Sequence, residues 1–181
     1  MIFRETGLQG ARIVELQPHI DERGQFARIW CREEFARAGI DVEIAQGNSS
    51  INPTKGTLRG LHWQEAPHGE AKLVRCVRGA IYDVIVDIDP ASPSYRRWIG
   101  VDLSASGGRM LYVPSTCAHG FQTLEEDTEV NYLVSAPYAP KAARGLRYDD
   151  PALAITWPLP ARLVSEQDRS WPLMEPLRQA G

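Results

Sequence analysis

The chain has 181 residues, of which 43% are hydrophobic and 24% are charged, and its formal net charge is −3. This length and composition are typical of one globular domain with a sizeable core, so we treat residues 1–181 as a single domain. The near balance of acids and bases gives no electrostatic reason to expect nucleic acid or an anionic membrane as a partner, although a local basic pocket for a phosphorylated small molecule remains open.

The predicted elements are short, and most of them are β-strands. Thirteen prolines and 15 glycines are spread along the chain, which suits many strands joined by turns better than long helices. The first element is a helix over residues 32–39, with acids near its start, Arg37 near its end and Gly39 at its stop. Strands follow at 72–77, 80–89, 96–103, 109–114 and 129–135. The residues from about 162 onward, with Pro172 and Pro176, are predicted to be irregular or to form a short terminal helix.

The clearest strand, residues 80–89, alternates between two faces. One face carries Tyr82, Val84, Val86 and Ile88, and the other carries Ile81, Asp83, Ile85 and Asp87. A period of two with β-branched and aromatic residues is the pattern of a strand. Because such strands recur at regular intervals with turn signals between them, we predict an all-β sandwich or barrel.

The N-terminal segment and the cysteines indicate a cytoplasmic protein. Residues 1–18 contain no long apolar region and no small-residue cleavage site, so we expect no signal peptide, and no run is long enough to span a bilayer. The three cysteines are widely spaced and form no CxxC pair, which favours neither a disulfide framework nor a zinc knuckle. Cys76 and Cys117 lie in apolar stretches and are predicted to be small core residues.

The residue that most invites a chemical role is His62, in the segment TLRGLHWQ at 57–64. It could be a structural histidine, a metal ligand or a general base. A metal site is disfavoured because Trp63 and Gln64, rather than a second histidine, follow it, and because His68 and His119 lie farther along the chain. An imidazole is well suited to removing protons near neutral pH.

A general base needs partners, and the residue types do not select them. Regular strand alternation would place Arg59 and His62 on opposite faces unless the chain bends at Gly60. Tyr132, in an apolar strand, is a candidate proton donor, but it could simply be a packing residue. Lys72 could stabilise an enolate, but it could equally be an ordinary exposed lysine.

Five segments in order resemble the dTDP-4-dehydrorhamnose 3,5-epimerase family. They are LRGLHWQ, AKLVRCVRGAIYDVIVDI, YVPSTCAHGFQTLEE, NYLVSAPYAP and RGLRYDDPALAITWPLP. The likeness begins near residue 21 and runs to about residue 168. It implies a cupin-type jelly-roll barrel with a few short helices, a homodimer, and activity without a metal or redox cofactor. It also implies that the substrate is a nucleotide-diphospho-4-keto-6-deoxy-sugar.

The resemblance implies a role for each matching residue. His62 matches the base, Asp168 the acid that pairs with it, Tyr132 the proton donor, and Lys72 the group near the enolate oxygen. The chemistry is reasonable because a ketone at C4 acidifies the hydrogens at C3 and C5, since the resulting anion is delocalised as an enolate. Conversion of dTDP-4-dehydro-6-deoxy-glucose to dTDP-4-dehydro-rhamnose is the reaction that this pattern implies.

The resemblance also implies substrate-binding residues. Arg59 matches a diphosphate contact, since its planar guanidinium suits phosphate oxygens. His119 matches a second active-site histidine, or a residue that holds the pocket through hydrogen bonds. Residues 46–48 match a segment that touches the substrate. Tyr138 matches an aromatic residue that lies near the nucleobase. Residues 23–26 match a segment that reaches the nucleotide, often across a dimer interface. The individual positions are Gln46, Asn48, Tyr138, Arg23 and Phe26.

Four positions depart from the family pattern, and all of them are binding positions. Arg28 replaces the acid of an RGxFxE motif, Ala143 replaces a glutamate, Gly47 stands where an acid is common, and a tyrosine pair is reduced to Pro137-Tyr138. The charge reversal at Arg28 could favour a different nucleotide. The sequence therefore leaves open inversion at C3, C5 or both, a one-centre epimerase or ketoisomerase on another nucleotide-linked ketosugar, and a non-catalytic metal- or sugar-binding cupin.

Overall fold

The computed structural model describes residues 1–174, which form mostly β-structure. The strands are β1 (Ile2–Glu5), β2 (Arg12–Glu15), β3 (His19–Asp21), β4 (Gly24–Phe26), β5 (Gln46–Asn52), β6 (Leu58–Gln64), β7 (Lys72–Arg78), β8 (Ala80–Asp87), β9 (Trp98–Ser104), β10 (Arg109–Val113), β11 (Cys117–Thr123), β12 (Thr128–Val134) and β13 (Ala143–Gly145). The helices within these residues are α1 (Arg32–Arg37) and α2 (Glu166–Ser170). The all-β prediction is confirmed, while Pro176 and the end of the predicted 1–181 domain lie outside the described residues.

Two antiparallel sheets face each other. One has the order β1-β2-β10-β7-β12-β5 and the other β13-β6-β11-β8-β9, while β3 and β4 form a separate hairpin. The core between the sheets combines residues of both, such as Val74 and Leu111 from the first and Ile85 and Phe121 from the second. Each such side chain stabilises the fold by about 1.5–3 kcal/mol when it leaves water. Cys76 and Cys117 are buried in this core, as predicted.

Strand β8 shows why its sequence is apolar on both faces. Ile81 and Ile85 enter the core between the sheets, whereas Val84 and Val86 pack on the outer face against Leu146 and other residues of the segment that follows β13. A strand covered on both faces loses the polar face that a half-exposed strand would show. The predicted alternation of β8 is confirmed, and the C-terminal segment is its outer cover.

The helix predicted at 32–39 is confirmed in place but is shorter, since α1 stops at Arg37. Phe35 is its buried residue and lies edge-on to Phe3, with ring centroids 4.9 Å apart. Gly39 has a φ of 78°, a left-handed conformation that glycine adopts without steric cost. The helix therefore covers the outer face of the six-stranded sheet. Within residues 1–174, neither helix has the length and apolar character that crossing a membrane requires.

Candidate active site

A cavity of about 870 Å³ is lined by strands of both sheets and by α2. This volume is within the range of small-molecule sites. Nine of the eleven predicted site residues line it. They are His62, Lys72, Tyr132, Asp168, Gln46, Asn48, Arg59, His119 and Tyr138. The structure thus brings together side chains that are up to 122 positions apart in the sequence, from Gln46 to Asp168.

A bulge in β6 brings Arg59 and His62 to the same face. His62 pairs with His119 of β11, and Arg59 pairs with Phe121, so three steps along β6 match two steps along β11. An extra residue in one strand shifts the following side chains to the other face, and regular alternation therefore fails here. Gly60 lies in the bulge with a φ of 122°, and a Cβ there would meet the backbone of β11 at 2.5 Å. Only glycine fits this approach.

His62 and Asp168 form a hydrogen-bonded dyad. The Nε2 atom of His62 lies 2.5 Å from Oδ1 of Asp168, which sits in α2 where the hydroxyl of Ser165 accepts its backbone N–H. The carboxylate accepts further bonds from the backbone N–H of Gly60 at 3.4 Å and from the indole N–H of Trp171 at 3.3 Å. These donors hold the carboxylate in one orientation against the imidazole.

The environment keeps this carboxylate ionised. Burial acts to raise the pKa of Asp168, but the hydrogen bond from His62, its charge and the N–H of Gly60 together outweigh burial and leave the pKa below its ordinary value. An ionised carboxylate accepts the Nε2–H of a neutral imidazole, which leaves the acceptor lone pair on Nδ1. The side chain of His62 is 44% exposed, so a ligand in the cavity has access to it.

A second histidine–aspartate pair lies directly beside the first. Nε2 of His119 is 2.7 Å from Oδ1 of Asp83 on β8, and the His119 side chain is only 8% exposed. Asp83 is fully buried. His119 lines the cavity, but most of its ring is enclosed between strands.

Lys72 and Tyr132 lie on neighbouring strands of the six-stranded sheet, across the cavity from β6. Nζ of Lys72 makes an ion pair of 2.9 Å with Oε1 of Glu70. Burial raises the pKa of the Tyr132 phenol, the charge of Arg59 opposes this, and the charge of Glu70 adds to it. Tyr132 is therefore held in the protonated form at neutral pH, which is the form that donates a proton.

The binding candidates in the cavity are held by side-chain to backbone and side-chain to side-chain bonds. The guanidinium of Arg59 donates from Nε to Asn52 at 2.8 Å. Gln46 accepts the backbone N–H of Tyr138 at 2.8 Å, which ties the segment after β12 to β5. Asn48 pairs with Tyr132 across the sheet. The terminal guanidinium nitrogens of Arg59 and the amide of Asn48 are not used in these contacts, and both residues line the cavity.

Arg23 and Phe26 do not line this cavity. They lie on the β3–β4 hairpin, where Phe26 is 74% exposed and Arg23 makes an ion pair with Asp21 at 2.5 Å. Arg28, the residue that departs from the family motif, makes an ion pair with Glu34 of α1 at 2.9 Å. None of these three side chains lines the cavity of its own chain.

The cavity wall contains functional groups that the sequence did not single out. Glu70, Trp171 and Arg144 line the cavity together with Ala143, one of the positions that departs from the family pattern. Glu70 could not be distinguished among 23 acids, and Trp171 is far from β6 in sequence. No group of three or more histidine, cysteine or acidic side chains suited to a metal ion is found in residues 1–174.

Comparison with known proteins agrees with the resemblance drawn from the sequence motifs. A sequence model described as dTDP-4-dehydrorhamnose 3,5-epimerase matches residues 5–176. The chain belongs to this family. A dTDP-4-dehydrorhamnose 3,5-epimerase of Methanothermobacter thermautotrophicus is 41% identical over 181 residues, covering 98% of this chain and 95% of the relative. A dTDP-4-dehydrorhamnose 3-epimerase of Streptomyces niveus is 36% identical over 182 residues, covering 100% of this chain and 87% of the relative.

Solved structures of the family share the fold. The crystal structure of the Bacillus anthracis dTDP-4-dehydrorhamnose 3,5-epimerase, with TDP and PPi bound, superposes with a TM-score of 0.93 at 38% identity, covering 96% of this chain and 99% of that one. The predicted cupin-type jelly roll and the assignment as an isomerase are thereby confirmed. As a member of the dTDP-4-dehydrorhamnose 3,5-epimerase family, the chain is an epimerase of nucleotide-linked ketosugars, and a non-catalytic cupin is not supported.

Proposed function

We propose that this epimerase inverts C3, C5 or both in a nucleotide-diphospho-4-keto-6-deoxy-sugar, with His62 as the base. Inversion of both centres would convert dTDP-4-dehydro-6-deoxy-glucose to dTDP-4-dehydro-rhamnose. The observation that carries the proposal is the His62–Asp168 dyad at 2.5 Å, with an accessible imidazole in a cavity that also contains Lys72 and Tyr132. An oriented imidazole, a cation and a phenol are the groups that enolate chemistry requires.

The steps follow from the positions of these groups. Nδ1 of His62 removes a proton from carbon, and the C–H electron pair moves into the ring as the C4 carbonyl becomes an enolate. The ammonium of Lys72 stabilises the charge on the oxygen. Tyr132, on the opposite sheet, then returns a proton to the other face of the carbon, which inverts the centre. The imidazolium that forms is stabilised by the ionised carboxylate of Asp168.

The substrate would be held by the remaining cavity residues. Arg59 is positioned to bind the diphosphate through its terminal guanidinium nitrogens. Tyr138, which is exposed at the mouth, would lie along the nucleobase, and Gln46 and Asn48 would contact the sugar or the nucleoside. His119 would donate or accept a hydrogen bond from the cavity wall. The TDP in the B. anthracis structure supports a thymidine nucleotide as the carrier.

The exposed β3–β4 hairpin supports a homodimer in which Arg23 and Phe26 reach the partner's nucleotide site. An aromatic ring that is 74% exposed beside a guanidinium is well suited to covering a nucleobase and a phosphate. Mixed dimers test this proposal. Arg23→Ala and His62→Ala should each be weak alone, and mixing them should restore activity, because one site then receives both intact residues. Additive activities without recovery would contradict it.

The cytoplasmic location stays a prediction.

The proposed reaction is tested by hydrogen–deuterium exchange in heavy water. We expect exchange at C3 or C5 of the ketosugar, its loss in His62→Ala, and impaired epimerisation with partial exchange in Tyr132→Phe. His68→Ala is the matched control, since His68 is exposed and does not line the cavity. Unchanged exchange in His62→Ala would remove the proposed base. Parallel assays with dTDP-, UDP-, CDP- and GDP-linked ketosugars would identify the nucleotide.

A one-centre reaction is the second candidate, because a relative that covers the whole chain is a 3-epimerase. NMR analysis of the product separates the two. Deuterium at both C3 and C5 with both centres inverted supports the 3,5-epimerase, whereas inversion at C3 alone supports the one-centre reaction.

A further inference from the structure

One acid in the cavity wall has no part in the proposed proton transfers. Oε1 of Glu70 lies 2.9 Å from Nζ of Lys72, and the two side chains are only 13% and 8% exposed. Ion pairs between exposed side chains contribute little to stability, but this pair is mostly buried. A buried ammonium without a partner, in contrast, is costly. Glu70 is therefore the counter-charge that allows Lys72 to remain inside the wall.

The same carboxylate acts on Tyr132. Burial raises the pKa of this phenol; Arg59 of β6 lowers it and Glu70 raises it. The other titratable or charged groups that line the cavity are His62, Lys72, His119, Tyr138, Arg144 and Asp168, and none of these contributes to the pKa of Tyr132. Of the charges in the wall, Glu70 is thus the one that opposes Arg59 at the phenol.

We infer that Glu70 is a positioning residue whose carboxylate anchors the ammonium of Lys72 in the cavity wall and acts electrostatically on the nearby proton donor Tyr132. The inference rests on the proposed roles of Lys72 and Tyr132. One N–H of the ammonium donates to Glu70, and two remain for the substrate oxygen. The arrangement has a cost, because a negative charge beside Lys72 weakens its attraction for the enolate.

Two substitutions separate charge from shape. Glu70→Gln keeps the size and a carbonyl acceptor for Lys72 but removes the charge, whereas Glu70→Asp keeps the charge but shortens the side chain. Glu15→Gln is the matched control, since Glu15 makes an ion pair with Arg4 on β1 and β2, outside the cavity. Each protein is titrated by the ultraviolet absorbance of tyrosinate, with its Tyr132→Phe counterpart subtracted to isolate the phenol of Tyr132.

In Glu70→Gln we expect the Tyr132 phenol to ionise at lower pH and the alkaline limb of product formation to move to lower pH, with a severalfold loss of rate above the limb. Glu70→Asp should stay near the unsubstituted protein, as should Glu15→Gln. A purely steric role predicts the reverse order, with Gln near the unsubstituted protein and Asp altered, and that result would overturn the inference.

Failure of the proposed function gives a different result. In that case the unsubstituted protein shows no exchange at C3 or C5, while the titration of the phenol still reports whether Glu70 acts on Tyr132. If the unsubstituted protein is active and the phenol of Glu70→Gln ionises at an unchanged pH, the role of Glu70 is refuted and the proposed reaction stands.

Discussion

The two histidine–aspartate pairs of this epimerase are built alike and placed differently. Both join Nε2 of the imidazole to Oδ1 of the acid, at 2.5 Å for His62–Asp168 and 2.7 Å for His119–Asp83. The two histidines are even paired with each other across β6 and β11. His62, however, is 44% exposed and His119 only 8%. The chemical composition of the two pairs therefore does not distinguish them, whereas the access of their imidazoles to the cavity does.

The acids differ as well. Asp168 receives an N–H from Gly60 and another from Trp171, in addition to His62. Asp83 comes from the core strand β8, and its Oδ2 has no hydrogen-bond partner among the described residues. A carboxylate with several donors is stabilised in its ionised form, so it could balance the imidazolium that the proposed reaction forms on His62. Under the proposed reaction the first pair would change its charge in each turnover, whereas the second would link β11 to β8.

The largest expected difference is between the two histidines. His62→Ala should lower hydrogen–deuterium exchange of the substrate by about 10³-fold, because positioned general bases contribute about 10²–10⁴-fold. His119→Ala should lower it by about tenfold, through altered sugar binding. Exchange rates measured by NMR at a substrate concentration well below saturation, where losses of binding and of chemistry both appear, check this ranking. Equal losses would show that both pairs move protons.

Substitution of the two aspartates should rank in the same order as substitution of their histidines, with smaller losses of hydrogen–deuterium exchange. Asp168→Asn keeps the shape but removes the charge that stabilises the imidazolium, so we expect exchange to fall by about 10²-fold. Asp83→Asn should leave exchange within about tenfold while it destabilises the fold by about 1–3 kcal/mol, since the bond to His119 loses a charged acceptor and the amide N–H that replaces the unpaired Oδ2 is buried without an acceptor. Exchange rates and thermal unfolding, measured on both variants, check the pair. A large rate loss without destabilisation in Asp83→Asn would contradict the assignment.

The free energy of unfolding at low pH should report the contribution of the Asp168 carboxylate. Its pKa is lowered in the folded protein, so its stabilising contribution is present above the pKa of the unfolded chain, about 3.9. The contribution is lost as the pH falls through the folded pKa. The difference in free energy of unfolding between the unsubstituted protein and Asp168→Asn should therefore shrink below about pH 4. Chemical denaturation at several pH values measures it, and a difference that grows in acid would contradict the sign.

The smallest effect is expected from the support of the first pair. A Cβ at Gly145 would lie 2.4 Å from the indole of Trp171, so Gly145→Ala should displace this ring and remove its hydrogen bond to Asp168. Loss of one such bond is worth about 1 kcal/mol, or a roughly fivefold fall in exchange. Trp171→Phe, which lacks the N–H, should fall by a similar amount. A full rate in both variants would show that the indole does not support the dyad.

Local pattern was sufficient for much of the β-structure. Five strands were predicted from the alternation in β8 and from turn residues: β7, β8, β9, β10 and β12. Their predicted ends differ from the observed ends by at most two residues. Strand β9 begins two residues later than predicted because Arg96 has a left-handed φ of 65°. Strand β11 was not predicted, since all seven of its residues are buried and no polar alternation remains. Short edge elements such as β1 and β13 have too few residues for a period.

The amino-acid sequence on its own determined the fold class, the family resemblance and which side chains merit attention, because hydrophobic period, turn chemistry and short motifs are local properties of the chain. Tertiary structure decided which of these side chains meet. The bulge at Gly60 turns Arg59 and His62 to one face, and α2 brings Asp168 across 106 positions to the imidazole. Burial and hydrogen bonding then give the two histidines different accessibility, and these depend on distant strands that no local pattern specifies.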